Sequence, residues 1–277
     1  MKTEDNQEYS KEKKITSILL EIVKIGNESI EKLNNQAFKD AWNLMLADLL
    51  VRFNLGITSS TYLLNEFRNS NTGRYSIMTI LRSATLDFLI LSYLFTFYFK
   101  AMKSKSKQDE KIFNNQIFSF IGDQLKHQIK HLKLLFEHKK INRKEYLSIL
   151  RNLALRYPEF LSINITVDDP FKSLKYKKKP PSAEKIFKHL HSNKMTREES
   201  QMYLHYDTFS KVEHYGIYSR GLIQDDTIMP VILQTLKFII LSHYRCHKFI
   251  DPQFGLQDNS ILINNLGKEF GELMKDI

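Results

Sequence analysis

Apolar residues recur at intervals of three and four along most of the chain, the spacing that lines one face of an α-helix. Ile15, Ile18, Leu19, Ile22, Val23, Ile25 and Ile30 mark such a face on a helix reaching about Leu33. A second helix is predicted from about Asn35 to Asn54, with Trp42, Leu46, Leu49 and Leu50 turned inward. A third, from about Thr58, is ended by the breaker run Asn69-Ser70-Asn71-Thr72-Gly73. The fourth, about Tyr75 to Met102, is hydrophobic almost all round and belongs at the centre of a bundle. Its most apolar run, Phe88 to Phe99, rises only about 18 Å against the roughly 30 Å of a bilayer core. It therefore reads as a buried helix, and no membrane span is expected.

Gln108 to Lys139 and Asn142 to Tyr157 follow as an antiparallel pair joined at Lys140-Ile141. Four of the six prolines then fall between Pro158 and Pro181, which predicts one long loop at about 158–181. Ser182 caps a short helix to about His191, and Thr196 with Glu199 forms a capping box for the next. That helix is expected to run to about Tyr215 and stop near Gly216. Asp226 or Thr227 opens another to about Ile250, with Pro230 tolerable in its first turns, and a last helix spans about Asn259 to Lys275. No strand pattern of useful length and no repeat interrupts this order. The fold class is all-α: one helical domain, residues 15–277, of eight to ten helices behind a solvated charged arm at residues 1–14.

Composition excludes several classes. An apolar fraction of 42 % is too high for disorder, and 9 Gly and 6 Pro are too few for a collagenous or turn-rich β protein. A single cysteine, Cys246, permits no internal disulfide, and with no signal-like segment at the N-terminus the expected compartment is the cytoplasm. The net charge of +10 is unevenly placed. Residues 1–100 hold 12 basic and 11 acidic side chains, residues 101–194 hold 21 and 9, and residues 195–277 hold 8 and 11. The excess lies in the middle third, on the helix after Lys103 and on Lys172, Lys175, Lys177, Lys178 and Lys179, with Phe171 and Tyr176 interleaved. That mixture suits phosphate attraction with base stacking, and it also suits a solvated loop. Because Lys outnumbers Arg there, a nucleic-acid contact would be to the backbone rather than a bidentate base contact.

The motif search removes further classes. There is no glycine cradle for a dinucleotide or P-loop, no His-Glu-x-x-His, and no cysteine cluster for zinc. His127 with His131, and His243 with His247, have metal-ligand spacing but lack a local third ligand. The alternative for the first pair is a polar helix face, and for the second a basic helix C-terminus. Neither a metal nor another cofactor is expected. Tyr206, Ser210 and His214 share one stripe of a helix, with Lys211 beside them. They read either as an interhelical hydrogen-bond network or as part of a site. Arg82 and Asp87 interrupt the apolar central helix, and buried charge must be paired, so they are expected to face each other, His214 or a ligand.

The stretch Tyr75-Ser-Ile-Met-Thr-Ile-Leu-Arg82-Ser-Ala-Thr-Leu-Asp87, with Pro181-Ser182 and Tyr206-x-x-x-Ser210-x-x-x-His214, resembles the bacterial domain-of-unknown-function 5677 family over about residues 50–250. Members show an Arg and an acid, usually Glu, on a central apolar helix; here the acid is Asp87, one methylene shorter. The resemblance implies a helical bundle loosely similar to helical domains of prokaryotic toxin and antiphage systems, many of them metal-independent ribonucleases. Their Arg, four to six residues, then His signature does not occur in this chain. A site assembled between helices would use His214 as general acid or base, Arg82 for an anionic transition state, and Asp87 or Tyr206 to orient the imidazole, with Ser210 on the same stripe. The readings are a defence or toxin-like protein that binds RNA through Lys172, Lys175, Tyr176, Lys177, Lys178, Lys179 and Lys211, with or without cleaving it, or a helical scaffold that oligomerises or holds a partner protein.

Overall fold

The structure, a computed structural model, describes residues 2–34, 38, 40–67, 70–162, 170–176, 178–212 and 228–275. Among them are nine α-helices and no β-strand: α1 (Lys2–Asn34), α2 (Ala41–Phe67), α3 (Asn71–Ser104), α4 (Lys107–Glu137), α5 (Arg143–Arg156), α6 (Ala183–Ser192), α7 (Arg197–Val212), α8 (Ile228–Phe254) and α9 (Gln257–Leu273). The protein is all-α, as its periodicity predicts.

Local chemistry explains the helix starts. Ser70 Oγ accepts the amide of Gly73 at 2.9 Å and opens α3. Asn142 and Glu145 form a reciprocal capping box on α5, and Thr196 with Glu199 does the same for α7. Gly73 is also a steric necessity, since a Cβ there would lie 2.1 Å from the Phe67 carbonyl oxygen.

Three expectations are corrected. The charged arm at residues 1–14 is helical from Lys2 onward, continuous with the amphipathic part of α1. The predicted second and third helices are one, α2, because Gly56 continues the helix and lets it approach α3, where a Cβ would sit 3.3 Å from Ala84 Cβ. The stretch at 158–181 is partly folded, with a 3₁₀ turn at Pro170–Ser173 and an antiparallel bridge between Leu161 and Leu174. Asp168, Asp169, Gly216, Asp226 and Thr227 lie outside the described residues.

The chain forms two compact units. Unit 1 comprises Met1–Gln36, Leu46–Tyr93 and Ala183–Ile277; unit 2 comprises Ala37–Met45 and Leu94–Ser182. Unit 1 packs Ile22, Leu49, Leu50, Phe53, Leu81 and Leu236 to 1 % exposure or less, each worth about 1.5–3 kcal/mol by burial. Unit 2 centres Trp42 among Phe95, Tyr98 and Phe113, with ring centroids 5.3–5.6 Å away. Phe136 stacks on Tyr146 at 5.0 Å, fastening α4 to α5. Helix α3 is long and apolar enough to cross a membrane, and 72 % of its most apolar window is buried inside the protein. A helix enclosed by its neighbours meets that test equally well.

Candidate functional site

Unit 1 brings three of the five candidate catalytic residues together. Arg82 on α3 and Tyr206 and Ser210 on α7 are all half-buried. The Arg82 Nε donates to Ser210 Oγ at 3.0 Å, and its guanidinium carbon lies 5.7 Å from the Tyr206 ring centroid. Ser210 Oγ in turn donates to the Tyr206 carbonyl oxygen at 2.7 Å. The hydroxyl proton is thus committed to the backbone, while the guanidinium occupies an oxygen lone pair. His214 and Glu213 lie outside the described residues.

Asp87 does not join this group. It stands five positions after Arg82, which turns the two side chains roughly 140° apart around α3. Instead Asp87 Oδ1 pairs with Arg52 Nη1 on α2 at 2.7 Å, and Arg52 Nη2 also reaches Asp48 at 2.9 Å. Burial pushes the Asp87 carboxyl up to about 6; Arg52 opposes the rise and Asp48 adds to it. The Arg82–Asp87 pairing is therefore replaced by Arg52–Asp87. A charged residue within Leu49-Leu50-Val51-Arg52-Phe53 was the sequence signal for this partner.

The histidine pairs behave differently from each other. His127 and His131 lie on an exposed face of α4, where His127 Nε2 stands 3.5 Å from Asp123 Oδ2. His243 and His247 are wholly buried, with ring centroids 4.8 Å apart, and Asp251 Oδ1 is 2.9 Å from His247 Nδ1. His243 adds no charge to a basic helix terminus, because burial, reinforced by His247, holds it far below the usual imidazole range. Burial likewise lowers His205 to about 4 where it meets Thr235 Oγ1 at 2.9 Å. Among the described residues no group of three His, Cys, Asp or Glu is arranged to hold a metal ion.

Unit 2 contains the basic site. Pairings of Ser162 N with Ser173 O and of Lys175 N with Phe160 O, both 2.9 Å, fold the segment after Pro158 back on itself. Tyr176 fixes it to α4: its hydroxyl donates to the Asn115 carbonyl oxygen at 2.9 Å, and its ring meets Phe118 edge-on. The approach depends on Gly122, where a Cβ would come within 3.1 Å of the Tyr176 carbonyl oxygen. Between α4 and this segment lies a cleft of about 230 Å³. Lys126, Lys172, Lys178 and Lys179 line it together with Phe171 and Tyr176.

The predicted nucleic-acid set is thus partly assembled. Lys172, Tyr176, Lys178 and Lys179 share the cleft, whereas the Lys175 ammonium donates to the Pro158 carbonyl oxygen at 2.7 Å. Lys211 belongs to unit 1, where it pairs with Asp207 at 2.6 Å, and Lys177 lies outside the described residues. Sequence reasoning singled out neither Gly122 nor Asp123, its neighbour in the cleft. The available signal was an isolated glycine inside a helix, which marks a close backbone approach.

No family model matches the chain, and no curated protein or solved structure matches it.

Proposed function

We propose that the protein binds nucleic acid, with RNA preferred, through phosphate contacts in the unit 2 cleft. The observation that carries this reading is the convergence of Lys126, Lys172, Lys178 and Lys179 on one concavity with an aromatic wall. Ammonium groups on flexible stems suit phosphates without reading base identity. The Tyr176 hydroxyl is engaged with Asn115, leaving ring surface rather than a polar tip for a base. Binding is the form proposed, since it rests on the residues of the cleft alone; cleavage would need His214, which lies outside the described residues. The defence or toxin-like setting rests on the sequence resemblance alone, and the scaffold reading is the outcome if nucleic acid does not bind.

Titrating the whole protein with a labelled single-stranded RNA at several salt concentrations tests the reading. Four phosphate contacts give a log–log salt slope of about −3. Replacing Lys172, Lys178 and Lys179 together by Gln is expected to flatten that slope to about −1 and leave the RNA intact. A slope unchanged by the triple replacement, or binding indifferent to salt, would overturn it.

A further inference from the structure

Among the described residues, one carboxylate lines the basic cleft. Asp123, next to Gly122 on α4, lines the concavity together with Lys126, Lys172, Lys178 and Lys179. A site selected only for phosphate gains nothing from a negative charge there, since it repels the ligand. Asp123 keeps accepting capacity beside its contact with His127. Its side chain is 30 % exposed, and His127 approaches one oxygen at 3.5 Å. A carboxylate accepts at about four lone-pair positions, which leaves capacity for an O–H or N–H from a ligand. The remaining described lining is largely apolar, with Phe171, Tyr176 and Leu174, the last 5 % exposed. Phosphate-binding cations, a ring-lined wall and one acceptor match the three parts of a nucleotide. A duplex instead presents its phosphates on a convex rod and cannot place a base in a concavity of about 230 Å³.

We propose that Asp123 determines specificity in this cleft by accepting a hydrogen bond from a ribose hydroxyl of a single-stranded RNA segment. The phosphates of that segment lie on the lysines, and one base rests against Phe171. The inference rests on the nucleic-acid reading of the cleft and adds the sugar to it. The 2′-hydroxyl separates RNA from DNA at a given site, and a carboxylate can accept from a ribose hydroxyl, as it does in dinucleotide-binding folds.

Fluorescence anisotropy with a ribo-oligoadenylate and the deoxyribo-oligoadenylate of equal length, at one salt concentration, tests the proposal. The unaltered protein is expected to bind the RNA about tenfold more tightly, as the loss of a charge-assisted hydrogen bond implies. In Asp123→Ala the two affinities should move in opposite directions: RNA binding weakens, while DNA binding holds or strengthens because a repulsive charge has gone. Equal strengthening of both would make Asp123 a repulsive charge only, and equal weakening would make it structural; either result overturns the proposal. An unaltered protein that binds both oligonucleotides equally defeats the ribose contact and leaves the cleft a nucleic-acid site. One that binds neither defeats the nucleic-acid reading itself. Lys178→Gln, which should weaken both affinities by the same factor, serves as the comparison for a purely electrostatic change.

Discussion

At the scale of single residues, the Arg52–Asp87 pair shows how burial and charge divide one interaction. Asp87 is nearly sealed while Arg52 is about one-third exposed, so the carboxylate carries most of the desolvation. Its carboxyl stands at about 6 in the folded protein against 3.8 otherwise, a raised value. Its stabilising contribution is therefore complete below about pH 4 and lost as pH rises through about 6. Arg52→Met keeps the stem and removes the charge that holds this rise in check. It is expected to cost little at about pH 4 and about 2 kcal/mol at about pH 8, a value reduced from that of a fully buried pair by the exposure of Arg52. Denaturant unfolding at both pH values measures the two penalties, and equal penalties would show that the charge on Asp87 is not what Arg52 offsets. The need of Asp87 for a partner was legible in its apolar surroundings. The partner was not, because choosing Arg52 over Arg82 requires the rotational phase of α3 and the register of α2 against it.

At the scale of elements, glycine decides where helices meet, and its meaning depends on what stands opposite. Gly73 faces the backbone carbonyl of Phe67 at 2.1 Å from a would-be Cβ, and backbone cannot step aside. Gly271 on α9 faces the Lys237 Cε at 3.2 Å, the far part of a flexible chain that moves cheaply. Gly73→Ala should therefore destabilise by about 2 kcal/mol through overpacking. Gly271→Ala should be neutral or stabilising by up to about 1 kcal/mol through helix propensity. Thermal melts of the two variants would show it, and similar shifts in both would contradict the steric distinction. The same logic explains where the sequence could be read. Caps at Asn142 and Thr196 are local, so the starts of α5 and α7 were visible. Gly56 reads as a break until Ala84, far away in sequence, is known to sit against it.

At the scale of the whole molecule, the charge is partitioned by unit. Unit 2 holds 20 Lys and Arg against 9 Asp and Glu, and unit 1 holds 21 against 22. The excess lies in the middle third of the sequence, but two of the four unit boundaries, at 45/46 and 93/94, fall inside α2 and α3, where neither composition nor periodicity changes. The division puts the basic excess in one unit and the buried polar groups around Asp87 and His243 in the other. Adding heparin should raise amide-exchange protection in residues 118–126 and 170–176 while leaving α8 and α9 unchanged. Uniform protection across both units would instead mean that the polyanion is held by diffuse charge.

Cys246 gives unit 1 a built-in reporter. It is the chain's one thiol and is fully buried on α8, and burial pushes its ionisation well above the usual thiol range. Alkylating reagents need an exposed thiolate, so the rate at which the unaltered protein takes up one label reads how often α8 is released from its surroundings. The clock requires no engineered probe, and it is silent on events confined to the lysine-lined cleft.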